Sequence, residues 1–208
     1  MKNILKKTKI INILVLLTSI CFICNPLLAL STDWVINDKS KVRLISSKTS
    51  SDNMDEIIIG LEYQLDPGWK TYWKSPGGGG FPQKIIWNNS SNINDIKIEW
   101  PTPKEFEILG LTSLGYEERV IFPLIIKLKD KNKLTNISIN TNYLVCETIC
   151  IPGNANLFLE IEPGKANYTE FFYELEKSKS ALPIENIELS SIYNFDTKVI
   201  LRISGKPQ

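Results

Sequence analysis

Tyr143-Leu144-Val145-Cys146-Glu147-Thr148-Ile149-Cys150-Ile151-Pro152-Gly153 places two cysteines three residues apart, at the end of a strand-like run and just before a Pro-Gly turn. Bonded cysteines keep their Cα atoms about 4.4–6.8 Å apart, so a bridge between residues this close needs the chain to fold back. A hairpin with a three-residue loop does that. Residues 137–145 then form the strand entering the pair and residues 156–161 the strand leaving it. The rest of the chain reads as scaffold that presents the pair or packs around it.

Upstream, hydrophobic residues recur with period two. Residues 57–65 set Ile59, Leu61, Tyr63 and Leu65 on one face, and residues 120–128 do the same with Val120, Phe122, Leu124, Ile126 and Leu128. Such alternation marks half-buried strands. Further strands are predicted at Trp34 with residues 42–45, at 69–73, at 85–87 and at 96–100, with Asp66-Pro67-Gly68, Pro101-Thr102-Pro103 and a charged turn at 129–133 between them. Short strands at this spacing, with turn signals between, describe an all-β sandwich of immunoglobulin-like type. No βαβ alternation appears, which disfavours a thioredoxin fold. Gly77-Gly78-Gly79-Gly80 is followed by Phe81-Pro82 and a strand, not by the Lys-Ser/Thr and helix of a phosphate-binding loop, so it reads as a turn. Residues 104–119 read as an irregular segment, apolar enough that it must cover something. Residues 167–180 are the only helix-like stretch, with Phe171, Phe172 and Leu175 as its apolar face, and 189–203 return to strand character.

The first 31 residues read as a secretory signal peptide: a basic start carrying Lys2, Lys6, Lys7 and Lys9, an apolar run over 10–23, and small residues Ala29 and Ser31. Cleavage is expected before Thr32, or alternatively after Ala29, and an uncleaved N-terminal membrane anchor is the other reading. Cys21 and Cys24 leave with the leader. The expected organisation is a signal peptide over 1–31, a sandwich domain over 32–165, and a helix-containing extension or the start of an incomplete second β module over 166–208. Outside the cytosol an even cysteine count normally means a disulfide, so Cys146 and Cys150 are expected to be bonded at least part of the time.

With the four leader lysines set aside, 20 basic residues remain against 23 acidic ones, a net charge near −3. That leaves no basic footprint for nucleic acid and no polybasic membrane patch. Histidine is absent, which excludes Ser-His-Asp and Cys-His centres as usually built and removes the commonest zinc and copper ligand. No cofactor or metal is called for. Thiols, carboxylates, lysines and tyrosines remain for chemistry.

The cysteine hairpin and the run Pro67-Gly68-Trp69-Lys70-Thr71-Tyr72-Trp73-Lys74-Ser75-Pro76-Gly77 resemble the N-terminal periplasmic domain of the thiol:disulfide interchange proteins, DsbD and its relative ScsB. Supporting matches are Ile98-Glu99-Trp100-Pro101-Thr102-Pro103, Gly115-Tyr116-Glu117 and Phe122-Pro123-Leu124. The resemblance spans roughly residues 33–163, and the Cys-x-x-x-Cys spacing is closer to the ScsB-like branch. It implies an immunoglobulin-like sandwich whose redox-active cysteines take electrons from a membrane-embedded thiol reductase domain. They then pass to periplasmic thioredoxin-fold or disulfide-isomerase proteins, or to proteins of cytochrome c biogenesis. The chain carries neither the polytopic membrane domain nor the C-terminal thioredoxin-like domain of those proteins, so it is expected to be a fragment or to work in trans.

By this resemblance the catalytic pair is Cys146 and Cys150, with Cys150 attacking and Cys146 resolving, or the reverse order, as a protein-disulfide reductase component. An apolar cap over residues 105–114 would shield the pair, with Phe106, Ile108 and Leu109 as covering side chains and Glu105 or Glu107 as candidate proton relays. No His or Arg neighbours the pair in sequence, and Glu147 would raise a thiol pKa, so an unactivated pair is expected. Two other classes fit the residues: a non-catalytic immunoglobulin-like binding module with a structural disulfide, and a Cu(I)-handling protein using the two thiolates, for which Met1 and Met54 are the only thioethers. The tryptophans read as packing.

Overall fold

The computed structural model describes residues 29–183 except Leu109, together with the backbone of residues 188–195 and 198–204. The period-two runs fold as the alternation dictates. Ile57, Ile59, Leu61, Tyr63 and Leu65 are buried along strand β3 (Glu56–Leu65), and Val120, Phe122, Leu124, Ile126 and Leu128 along β9 (Arg119–Leu128). These two pair antiparallel, Leu61 opposite Phe122, at the centre of a five-stranded sheet. Its order is β1 (Val35–Asn37), β2 (Ser40–Ser46), β3, β9 and β6 (Ile93–Ile98). The expected first strand is in fact two, because Asp38-Lys39 turn the chain, with Lys39 at φ 64°; Trp34 lies outside both, under Lys41 and Arg43.

The second sheet runs β11 (Cys150–Ile161), β10 (Thr135–Cys146), β4 (Lys70–Gly77), β8 (Leu111–Glu117) and β7 (Lys104–Ile108), with β5 (Lys84–Ile86) also on β10. β10 and β11 turn Ile137, Ile139, Tyr143, Val145, Ala155, Leu157, Leu159 and Ile161 inward onto the first sheet. The two sheets enclose one apolar seam, which makes the fold an all-β, immunoglobulin-like sandwich. A hydrogen bond of 2.6 Å between the Tyr63 hydroxyl and Thr141 Oγ1 crosses that seam. Trp69 is buried in it, and Trp73, Trp87 and Trp100 pack against it.

Helix α1 (Phe172–Ser180) lies on the other face of the first sheet, where Phe171 and Leu175 pack on Ile45 and Ile121. Phe172, expected on the same apolar face, is half-buried and stacks on Tyr168 at 4.3 Å. Gly60 makes room for the helix: a β-carbon there would stand 2.8 Å from Ile45, Ile121 and Leu175 at once. Beside it the buried Glu62 carboxylate accepts from Arg43 Nε and Arg119 Nε, each at 2.6 Å, and Arg119 reaches Glu174 of α1 at 2.8 Å. Beyond α1, β12 (Glu188–Phe195) and β13 (Lys198–Ser204) pair antiparallel with each other.

Residues 104–119, expected to be irregular, are the β7–β8 hairpin and the start of β9. Glu105, Phe106, Glu107 and Ile108 alternate like any strand, and Gly110 at φ 76° supplies the left-handed residue of the tip. Two glycines and the flanking prolines obscured that pattern. Residues 1–28, most of the signal peptide expected over 1–31, and Leu109, a predicted cap residue, lie outside the described residues. Among the described residues no helix is long and apolar enough to cross a membrane.

Candidate functional site

β10 ends on Cys146 and β11 begins on Cys150, and the two face each other as the last pair of the ladder. They form a disulfide with Cα atoms 4.1 Å apart. Glu147–Ile149 make the turn, closed by the Glu147 N–H donating to the Ile149 carbonyl at 3.0 Å. The halves of the bridge differ: Cys146 has no exposed surface, whereas Cys150 is exposed beside Ile149, itself 60% exposed.

The register shows which face of the sheet carries the sulfurs. Val145 points into the seam, so Cys146 points out of it. Opposite Cys146 on β4 stands Lys70, and opposite Lys70 on β8 stands Glu117. Tyr72, two residues along β4, shares their face and packs with Ile108 and Cys146 in a small cluster that Phe106 and Leu144 close. The Tyr72 hydroxyl lies 4.0 Å from Cys150 Sγ, and burial raises its pKa. Phe106 lies over Tyr72 with ring centroids 6.2 Å apart.

The predicted covering residues Phe106 and Ile108 therefore do meet the cysteine pair. Glu105 and Glu107 fall on the opposite face of β7 and are exposed, so the fold does not bring them together with the sulfurs. The Glu147 side chain lies against Gly68, its Oε1 2.9 Å from where a β-carbon of that glycine would stand.

Two further features were not read from sequence. The tetraglycine segment packs against the β7–β8 hairpin: the Gly78 N–H donates to the Thr112 carbonyl at 2.9 Å, and Ser113 Oγ donates to the Gly79 carbonyl at 3.3 Å. Gly80, at φ 95°, runs across the Tyr72 ring so closely that a β-carbon there would fall on it. The second is Lys70, read as one residue of an aromatic strand. Only the β4–β10 register reveals it as the cross-strand neighbour of Cys146. Among the described residues no cluster of three or more His, Cys, Asp or Glu side chains is arranged for a metal ion. Met54 lines a cavity by α1 with Tyr168 and Phe172.

A search of curated proteins finds no match. Among solved structures, the chain is similar to the N-terminal periplasmic domain of ScsB from Proteus mirabilis, at 30% identity and a TM-score of 0.63 over 79% of this chain. This chain spans 64% of the length of that domain. The reduced DsbD N-terminal domain of Neisseria meningitidis is also found, at 9% identity and a TM-score of 0.32, covering 71% of this chain and 96% of that one. Residues 42–162, more than half the chain, match the family described as thiol:disulfide interchange protein DsbD, N-terminal. The chain belongs to that family, and with its bonded cysteine pair it is a domain of the thiol–disulfide exchange class.

Proposed function

We propose that the chain is an exported redox carrier that passes reducing equivalents from a membrane thiol reductase to exported proteins through Cys146 and Cys150. The observation that carries this reading is the asymmetry of the bridge: an exposed Cys150 beside a fully buried Cys146, under a cap formed by Phe106 and Ile108. An incoming thiolate reaches the exposed sulfur first. In the reduced form Cys150 attacks a partner's disulfide, and Cys146 resolves the mixed disulfide. Exclusion of Cys146 from solvent directs attack to Cys150.

The periplasm is the proposed location, reached by cleavage of the leader over 1–31, with residues 32–165 as the exchange domain. The matched ScsB domain is periplasmic, which supports it. The electron donor would be a membrane-embedded thiol reductase domain, joined to this chain or acting in trans. The acceptors would be thioredoxin-fold or disulfide-isomerase proteins, with cytochrome c biogenesis among the processes served.

The test mixes reduced protein with an oxidised thioredoxin-fold protein. Cys146→Ala traps a mixed disulfide through Cys150, and Cys150→Ala traps none. Trapping by Cys150→Ala alone reverses the roles of the cysteines. No trapping by either, with a reduction potential below about −300 mV, makes the bridge a structural staple.

A further inference from the structure

Lys70 has no role in the exchange just described, yet it stands in the row of the reacting sulfurs. Cys150 pairs with Cys146, Cys146 with Lys70, and Lys70 with Glu117, across β11, β10, β4 and β8. Directly opposed residues of antiparallel strands share a face, with β-carbons about 4.5–5.5 Å apart. The Lys70 side chain thus leaves the sheet beside the Cys146 sulfur, and only 18% of it is exposed. Its Nζ donates to the Gly68 carbonyl at 3.0 Å, lies 3.6 Å from Glu117 Oε1, and stands 5.8 Å from the Phe106 ring centroid. The other charged or titratable groups here are Lys104 of β7, 3.7 Å from the same Glu117, Tyr72 of β4, and Glu147 in the hairpin turn.

We infer that Lys70 is a positioning residue for Cys146, its ammonium stabilising the thiolate that this sulfur becomes whenever the bridge is opened or re-formed. The inference rests on the exchange reading above. When a dithiol donor's thiolate attacks Cys150 Sγ, a bond forms between the two proteins. The Cys146–Cys150 bond breaks, and its electron pair leaves with Cys146. The donor's second thiolate then attacks its own sulfur in the mixed disulfide and expels Cys150 as a thiolate. The donor departs oxidised, the pair has gained two electrons, and the two protons come from the donor's thiols. In the other direction Cys150 attacks the acceptor's disulfide, and the Cys146 thiolate attacks Cys150, re-forming the bridge and releasing the reduced acceptor. In both directions Cys146 acts as a thiolate. A nearby cation lowers a thiol pKa, and a lower leaving-group pKa speeds departure. Glu117 competes for the same ammonium.

The test is the pH profile of Cys146 alkylation in the full chain carrying Cys150→Ala, read by mass spectrometry on the peptide that contains Cys146. Lys70→Met raises the midpoint by about one pH unit, a roughly tenfold loss of thiolate at neutral pH. Lys70→Arg restores the midpoint, and Glu117→Gln lowers it. An unchanged midpoint in Lys70→Met, or Lys70→Arg behaving like Lys70→Met, overturns the inference. Should Lys70→Met not fold, Glu117→Gln decides, and a midpoint that fails to fall overturns it. No partner protein enters this assay, so a failure to trap a mixed disulfide sinks the proposed function without touching this profile.

Discussion

Phe106 lies across Tyr72, ring centroids 6.2 Å apart and planes tilted by 50°. The contact joins the β7–β8 hairpin to the strand beside the disulfide, and Lys70 Nζ stands 5.8 Å from the Phe106 ring centroid. Phe106→Ala removes the ring that closes the cluster around Cys146. Reduction of the bridge by a small dithiol should then quicken by roughly fivefold, since access governs disulfide reactivity. Stopped-flow measurement of thiol release checks this, and an unchanged rate would mean that Phe106 does not shield the pair.

The ring closed by Cys146 and Cys150 spans a sequence separation of only 4. Chain-entropy reasoning assigns a loop this small about 2 kcal/mol of stabilisation. The oxidised and reduced proteins should therefore differ by no more than that in urea unfolding at neutral pH. A much larger loss on reduction would identify the bridge as a structural necessity.

Tyr63 is wholly buried and shares a 2.6 Å hydrogen bond with Thr141. Burial drives its phenol well above the usual value of about 10, and raises Tyr116 and Tyr143 as well. The folded state therefore holds these protons more tightly than the unfolded chain. The associated stability is fully present below pH about 10 and is lost as pH rises beyond it toward the folded-state values, by at most about 1.4 kcal/mol per pH unit for each tyrosine. Urea midpoints should fall with rising alkalinity, and Tyr63→Phe should fall less steeply. Parallel slopes in the two proteins would contradict this.

Glu62, with 2% of its side chain exposed, sits between Arg43 and Arg119. Replacing one member of a buried ion pair strands the others, so Glu62→Gln should cost about 3 kcal/mol in denaturant unfolding. Glu174→Gln, at the exposed end of the network, should cost less than about 1 kcal/mol.

Gly60→Ala should destabilise by about 2 kcal/mol, because the added methyl meets three side chains under α1. In a Leu175→Ala background the same change should cost measurably less, since one of those side chains is gone. Equal costs in the two backgrounds would mean that α1 does not press on this residue.

The strands that build the seam were legible because an apolar residue falls at every second position, as in residues 57–65 and 120–128. The cysteine hairpin was legible because its geometry is local. The cap was harder to read: its period-two signal covers only five residues of β7 and is broken by Gly110 and Gly115. Lys70 and Tyr72 could not be tied to the sulfurs from sequence, since their proximity depends on the register of β4 against β10, whose paired residues lie more than seventy positions apart in the chain. The Glu62 network was hidden for a related reason. Its members come from β2, β3, β9 and α1, and no spacing in the chain announces that they meet.

Val145 and Cys146 are consecutive, yet one side chain enters the seam between the sheets and the other faces away from it. Every strand beneath the sulfurs is two-sided in this way. Substitutions on the outward positions of β4, β8 and β10 can retune reactivity and partner preference while the inward positions go on specifying the same architecture. Selection can thus act on thiol–disulfide chemistry and on structural integrity almost independently, within the same few strands.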